Sequence, residues 1–269
     1  MDDCRTYLAK KLGAHFSEKE TSQLISILIE DIPGLSELNE SKLDEISNRL
    51  ISGEPVQYVT GIAPFYGYFF EVSSAVLIPR PETEELVYCI EKFIKKNSLR
   101  SACILDVGTG SGCIPITLSM LFPAAKVQGV DVSEDALKVA RSNNKKLGAN
   151  VEFLVKDFLL DTAFDEADLP DILVSNPPYI PHHEKGLLGK NVLDHEPHLA
   201  LFVENDDPLI FYRKICEFAL SLNKPIAVFL ECNEYNAQEV ETLYKSDFDV
   251  ELIKDLQGKD RIVKAVKGY

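Results

Sequence analysis

The chain has 269 residues, 45% of them hydrophobic, and carries a formal charge of −15 from 43 acidic and 28 basic residues. That length and apolar content suit one large domain, or a domain with a smaller companion, and exclude a disordered chain. No apolar run reaches the roughly 18 residues that span a bilayer, the N-terminus lacks the basic-then-apolar pattern of a signal peptide, and the acidic balance argues against a protein that grips naked nucleic acid through a basic footprint. The expectation is a soluble, cytoplasmic protein with no membrane contact. The six cysteines (Cys4, Cys89, Cys103, Cys113, Cys216 and Cys232) form no Cys-x-x-Cys pair and mostly lie in apolar runs. They read as small buried hydrophobes.

Before residue 75 the pattern is helical. Ser17 to Glu20 forms a capping box that opens a helix through Leu24, Ile27 and Leu28. Ser41 is expected to open another, with Leu43, Ile46 and Leu50 on one face and Gly53 as its stop. Residues 54–80, with Tyr58-Val59 and the run from Phe65 to Val72 punctuated by Gly61, Pro64 and Gly67, predict a hairpin that joins two parts. The expected division is a helical domain over 1–53, a hairpin linker over 54–80 and a catalytic domain over 81–269.

After Pro81 a helix runs to about Lys96, acidic at its start and basic at its end as the helix dipole prefers. Strands then alternate with helices. Strands are expected over 101–107, 126–132, 151–156, 171–175 and 226–231, and helices over 112–122, 133–147, 208–222 and 234–245. A loop-like insertion reaches to Asp207, and the last strands are 248–256 and 261–266. Alternation of this kind predicts a mostly parallel sheet covered on both faces. The final pair, joined by only four residues, must be antiparallel.

The first strand of this region ends in Asp106-Val-Gly108-Thr109-Gly110-Ser111-Gly112. A phosphate loop needs Gly-Lys-Ser/Thr and a dinucleotide fold prefers G-x-G-x-x-G, whereas this spacing is G-x-G-x-G. The third reading is a nucleoside cofactor whose amino-acid tail crosses the loop, with Asp106 near that tail. Asp131 closes the second strand, where a carboxylate can accept both hydroxyls of a ribose. Asp157-Phe158 closes the third, where an acid and an aromatic can hold the edge and face of an adenine.

Ser175-Asn176-Pro177-Pro178-Tyr179 ends the fourth strand, because two successive prolines cannot donate to a sheet ladder. The group suits a poor nitrogen nucleophile. An amide lone pair is delocalised into its carbonyl, so the acceptor must be aimed. The Asn176 side-chain oxygen and the Pro177 carbonyl, stiffened by Pro178, can accept its two N–H bonds. Tyr179 can cover the acceptor plane near a sulfonium-borne methyl. His182, His183, His195 and His198 cluster in the insertion but lack supporting Cys or Asp spacing, so no metal is expected.

With these residues the sequence resembles the HemK/PrmC family, the glutamine-N5 methyltransferases of peptide chain release factors. The resemblance covers nearly the whole chain: Gly53 to Gly61, Phe65-Tyr-Gly67, Leu77-Ile-Pro-Arg-Pro-Glu-Thr-Glu84, the glycine loop, the tetrad at 176–179, His195-Glu-Pro-His-Leu-Ala-Leu201 and Gly258-Lys-Asp-Arg-Ile262. The loop and tetrad are shared with many amino-methyltransferases, whereas the 79–84 and 196–201 stretches are more particular to this family. The resemblance implies a class I Rossmann-like fold, S-adenosylmethionine as cofactor, and a substrate glutamine in the Gly-Gly-Gln motif of release factors, docked by the helical N-terminal domain. It places cofactor contacts on Gly108, Thr109, Gly110, Ser111, Gly112, Asp131, Phe158 and Asn176. Substrate contacts fall on Asn176, Pro177, Pro178 and Tyr179, with Asn176, Pro177 and Tyr179 as the catalytic set. Two places depart from the family pattern, Glu231-Cys-Asn233 for the usual Glu-x-Gly and Glu204-Asn-Asp-Asp-Pro208 for the usual glycine-rich turn. Arg80 and Glu82 are expected to form a local ion pair that steadies the joint. Three alternatives remain beside this reading: another protein glutamine, such as one on a ribosomal protein; the exocyclic amine of a nucleic-acid base; and a cofactor-binding scaffold without turnover.

Overall fold

The computed structural model describes residues 2–203 and 206–269, without the side chains of Asp2 and Leu187. Helices α1 (Asp2–Leu12), α2 (Glu18–Asp31), α3 (Glu40–Ile51) and α4 (Val56–Thr60) come first. The Ser17 side chain accepts the Glu20 amide while Glu20 reaches back to Ser17, completing the capping box. Helix α3 starts earlier than expected. Its cap is Asn39, whose side-chain oxygen accepts the Lys42 amide at 3.0 Å, and Ser41 lies within the first turn. Leu8, Leu12, Ile25, Leu28, Leu43 and Leu50 pack into a core separate from that of the rest of the chain.

Within residues 54–80 the hairpin spans only β1 (Ile62–Phe65) and β2 (Tyr68–Glu71), paired antiparallel. Tyr58 and Val59 belong to α4 instead of a strand. Burial outweighs their β preference: Val59 joins the helical core, and the buried Tyr58 hydroxyl donates to the Val76 carbonyl at 2.7 Å. The hairpin in turn sends Phe65 and Phe70 into the core of the larger domain.

Helix α5 (Pro81–Asn97) leads into β3 (Cys103–Val107), α6 (Cys113–Leu121), β4 (Lys126–Asp131), α7 (Glu134–Leu147), β5 (Val151–Val155) and β6 (Ile172–Ser175). The insertion then folds as β7 (Ile180–Pro181), α8 (Lys190–His195), α9 (His198–Leu201) and β8 (Phe202–Val203), with β7 and β8 paired in parallel. Glu204 and Asn205 of the departing stretch lie outside the described residues. Asp206 and Asp207 accept the His182 and Leu209 amides. The chain ends with α10 (Ile210–Ser221), β9 (Ile226–Glu231), α11 (Ala237–Tyr244), β10 (Asp249–Lys254) and β11 (Asp260–Lys267).

The seven-stranded sheet has the order β10-β11-β9-β6-β3-β4-β5. Strand β11 runs antiparallel to both of its neighbours, and the other pairs are parallel. Side-chain alternation divides the core in two. Ile104, Ile172, Val174, Ala227 and Phe229 face the cluster built on α5 and α6, and Leu105, Leu173, Val228 and Leu230 face the one built on α10 and α11. Both faces are covered, which is why these strands read as near-continuous apolar runs. The strand order reverses beside β3, and a crevice at the carboxyl ends of the strands follows from that reversal.

Candidate active site

A cleft of about 300 Å³ opens at those strand ends. Its walls come from the glycine loop after β3, Asp131 after β4, Asp157 and Phe158 after β5, Asn176 and Pro178 after β6, and the segment that leads into α5.

The loop is held from below. The Gly108 and Thr109 amides donate to the Val130 carbonyl at 2.9 and 3.0 Å, and the Gly110 amide donates to Asp131 Oδ2 at 2.9 Å. Asp131 Oδ1 accepts the Ser133 amide, which starts α7. The buried Asn143 of α7 accepts the Glu71 amide and donates to the Glu71 and Ser111 carbonyls, so it ties the hairpin to the loop. Gly112 stands apart from its loop neighbours. It does not line the cleft, and a Cβ there would lie 2.9 Å from Ile116 and 3.2 Å from Ala140 and Phe153. Its role is close packing of helix on sheet.

Asp106 is fully buried and does not line the cleft. Thr109 donates to its Oδ2 at 2.6 Å, and its Oδ1 has no hydrogen-bond partner. Burial pushes its carboxyl up to about 7. A buried carboxylate with an orphaned oxygen beneath the loop favours a cationic ligand above it. Asp157 spends one oxygen on the Leu159 amide and also faces the cleft. Phe158 is buried edge-on against Phe218, with ring centroids 5.4 Å apart, and borders the cleft. An apolar wall, a glycine loop and carboxylates at three strand ends fit a nucleoside bearing a cationic amino-acid tail.

Asn176 lines the cleft with its Nδ2 donating to Thr83 Oγ1 at 3.2 Å, and among the described residues no hydrogen bond reaches its Oδ1. Pro177 is buried and, unlike Asn176 and Pro178, does not line the cleft; among the described residues no hydrogen bond reaches its carbonyl. Ser175 donates to the Val107 carbonyl at 2.7 Å and locks the end of β6 to β3. Tyr179 differs from expectation. It does not line the cleft but packs against the core cluster that holds Tyr212, and burial pushes its phenol up to about 12. In the insertion, His182 stacks on Phe202 and His198 approaches the Leu193 carbonyl at 3.0 Å.

Comparison with known proteins decides the family. Residues 85–200 match the methyltransferase small domain. The release factor glutamine methyltransferase of Flavobacterium psychrophilum is 40% identical, over 97% of this chain and 96% of that protein. The enzyme of the same name from Bacillus subtilis is 40% identical, over 92% of this chain and 86% of that protein. The chain belongs to the release factor glutamine methyltransferase family. The fold is shared more widely: the hMettl16 catalytic domain, solved in complex with a MAT2A 3′UTR hairpin, aligns with a TM-score of 0.57 at 20% identity over 74% of this chain and 75% of that one.

Two of the stretches that carry the family resemblance, 77–84 and 195–201, meet in space. Arg80 does not pair with Glu82. Its guanidinium instead reaches both carboxylate oxygens of the buried Glu196, at 2.6 and 2.7 Å, across 116 residues of sequence. The contact straps the insertion over the start of α5 beside the cleft. At the other end of the strap, Asn191 of α8 lies against Gly53, where a Cβ would come within 2.9 Å of its side-chain oxygen. Gly53 has φ of +91°, so both space and backbone conformation call for glycine. Arg80→Ala is expected to destabilise the protein by about 3 kcal/mol, because Glu196 would be left buried and unpaired. Thermal unfolding and limited proteolysis within 182–207 would measure it; unchanged protease resistance would contradict the strap.

Proposed function

We propose that Asn176 Oδ1 and the Pro177 carbonyl grip the two N–H bonds of a glutamine side-chain amide and aim its nitrogen across the cleft at a methyl donor. The protein is a protein-glutamine N-methyltransferase that acts on the N5 nitrogen of the glutamine in the Gly-Gly-Gln motif of release factors. S-adenosylmethionine supplies an electrophilic methyl on a sulfonium. This chain's residues do the rest. The 108–111 backbone cradles the amino-acid tail, with Asp106 beneath it as a buried counter-charge. Asp131 accepts the ribose hydroxyls, and Asp157 and Phe158 border the adenine. Gly112 contributes through packing and Tyr179 by stiffening the tetrad from behind.

The observation that supports this reading is a pair of neighbouring acceptors that no hydrogen bond occupies among the described residues: Asn176 Oδ1, whose residue lines the glycine-lined cleft, and the carbonyl of the adjacent Pro177, which lies just outside that lining. With the cofactor bound, its methyl would pass to the amide nitrogen held by Asn176 and Pro177, the sulfur keeping the bonding electron pair as a neutral thioether. The methylated nitrogen is acidic and yields its proton to water, so no strong base is required. Holding both reactants in attack geometry can supply up to roughly 7–11 kcal/mol of the barrier.

The protein substrate docks beside the strap, on the helical region 1–53, whose Gly53 the strap touches. The net charge of −15 supports a protein acceptor over bare nucleic acid. No helix among the described residues is long and apolar enough to cross a membrane, and the cytoplasm, where release factors act, is the proposed location. Mass spectrometry of release factor incubated with enzyme and cofactor tests the assignment. A gain of about 14 Da on the Gly-Gly-Gln glutamine is expected; no gain, or a gain elsewhere, would refute it.

A further inference from the structure

A side-chain amide can sit in either of two orientations that differ only in whether N or O faces a given partner. For Asn176 only one of them works, the one with oxygen toward the acceptor nitrogen. Nothing within the tetrad makes that choice. The neighbours that do are distant in sequence: Thr83, in the first turn of α5, and Glu231, the last residue of β9. Asn176 Nδ2 donates to Thr83 Oγ1 at 3.2 Å, and Thr83 Oγ1 donates to Glu231 Oε2 at 2.7 Å. Thr83 and Glu231 are only 3% and 4% exposed, so water does not compete freely for these bonds. A hydroxyl has one proton. Once that proton is given to the carboxylate, the Thr83 oxygen can only accept, and the asparagine must turn its NH₂ group to it.

We propose that Thr83 and Glu231 are positioning residues: the ionised Glu231 carboxylate, acting through the Thr83 hydroxyl, holds the Asn176 amide with its oxygen toward the substrate nitrogen. This rests on the reading of Asn176 as the acceptor clamp. Backbone contacts anchor Glu231 in turn, since the Tyr212 hydroxyl donates to its carbonyl at 3.1 Å.

The relay has a sign. Protonated Glu231 can donate to Thr83, which then donates to Asn176 Oδ1 and removes that oxygen from the substrate. The titratable and charged groups around Glu231 are Arg80 and Glu82 at the start of α5, Arg261 of β11, Tyr212 of α10, Tyr179 of the tetrad, Cys113 of α6 and the adjacent Cys232. Burial pushes the carboxyl up to about 7, Glu82 adds to the rise, and Arg261 and Arg80 oppose it. Turnover is therefore expected to climb with pH as Glu231 ionises.

The test is kcat against pH for the full-length enzyme with release factor, in the wild type, Thr83→Val, Thr83→Ser and Glu231→Gln, together with calorimetry of cofactor binding. Thr83→Val removes the hydroxyl at nearly constant shape. It is expected to lower kcat about tenfold, one hydrogen bond's worth, to leave cofactor Kd and release-factor KM within about twofold, and to lose the acid limb. Thr83→Ser keeps both rate and limb, and Glu231→Gln flattens the limb. An unchanged kcat in Thr83→Val, an effect on KM alone, or an acid limb that persists in Thr83→Val and Glu231→Gln would overturn the relay. If Thr83→Val fails to fold, the Thr83→Ser and Glu231→Gln profiles still decide. An Asn176→Ala enzyme that turns over sinks the clamp itself; an inactive Asn176→Ala beside an unaffected Thr83→Val sinks only the relay.

Discussion

Replacing Asn176 by alanine is expected to lower kcat at least ~100-fold, while cofactor affinity falls only a few-fold. The physical reason is that the acceptor amide is a poor nucleophile whose reactivity depends on aim. Removing one of two fixed acceptors lets the amide rotate about its remaining hydrogen bond. Losing a single preorganised polar group from a catalytic site typically costs about 10²–10³ in kcat. The substitution leaves the rest of the network intact, because Thr83 still has Glu231 to receive its proton. A tritiated-methyl transfer assay paired with calorimetry separates the two effects. Turnover at the wild-type rate would remove Asn176 from the chemistry.

Asp131→Ala is expected to weaken cofactor binding more than tenfold, with two losses combined. Asp131 Oδ2 holds the Gly110 amide and Oδ1 holds the Ser133 amide, each at 2.9 Å. Each carboxylate oxygen keeps a second lone pair, and those are the acceptors for the ribose hydroxyls. Alanine removes the clamp and also unties the loop. Hydrogen bonds to charged groups contribute about 1.5–3 kcal/mol each, and tenfold in affinity is about 1.4 kcal/mol, so the loss of one suffices. Asp131→Asn, which keeps the shape and one acceptor, should fall between. A calorimetric Kd for Asp131→Ala within twofold of wild type would contradict the assignment.

Much of the fold was legible because its signals are local. The alternation of apolar runs with amphipathic segments marked the strands and helices. The four-residue link before Arg261 required an antiparallel last pair, and β11 runs antiparallel to β9 and β10. Capping chemistry marked α2, where Ser17 accepts the Glu20 amide. Errors arose where a distant partner outweighed local preference. Tyr58 and Val59 look like strand residues, but burial holds them in a helix, Val59 in the helical core and Tyr58 against Val72, Val76 and Ile78. Ser41 is a good cap by type, yet Asn39 had the geometry.

The site follows the same division. Glycine spacing and the Asn-Pro-Pro-Tyr group are contiguous, so they could be read directly, although Gly112, Pro177 and Tyr179 lie outside the cleft lining. The groups that orient the tetrad are not contiguous. The sequence alone pairs Arg80 with Glu82, two residues away, because no local signal points to Glu196. Both residues lie in stretches that carry the family resemblance, 77–84 and 195–201, and the ion pair joins them. Glu231 was noted only for the departure at Asn233. Its carboxylate proves to stand two hydrogen bonds from the Asn176 amide.

The most direct measurement is a crystal structure of the enzyme with the demethylated cofactor product and a Gly-Gly-Gln peptide. The glutamine nitrogen should lie about 3 Å from both Asn176 Oδ1 and the Pro177 carbonyl and point toward the cofactor sulfur. A glutamine held by other groups, or those two oxygens turned away from it, would contradict the account.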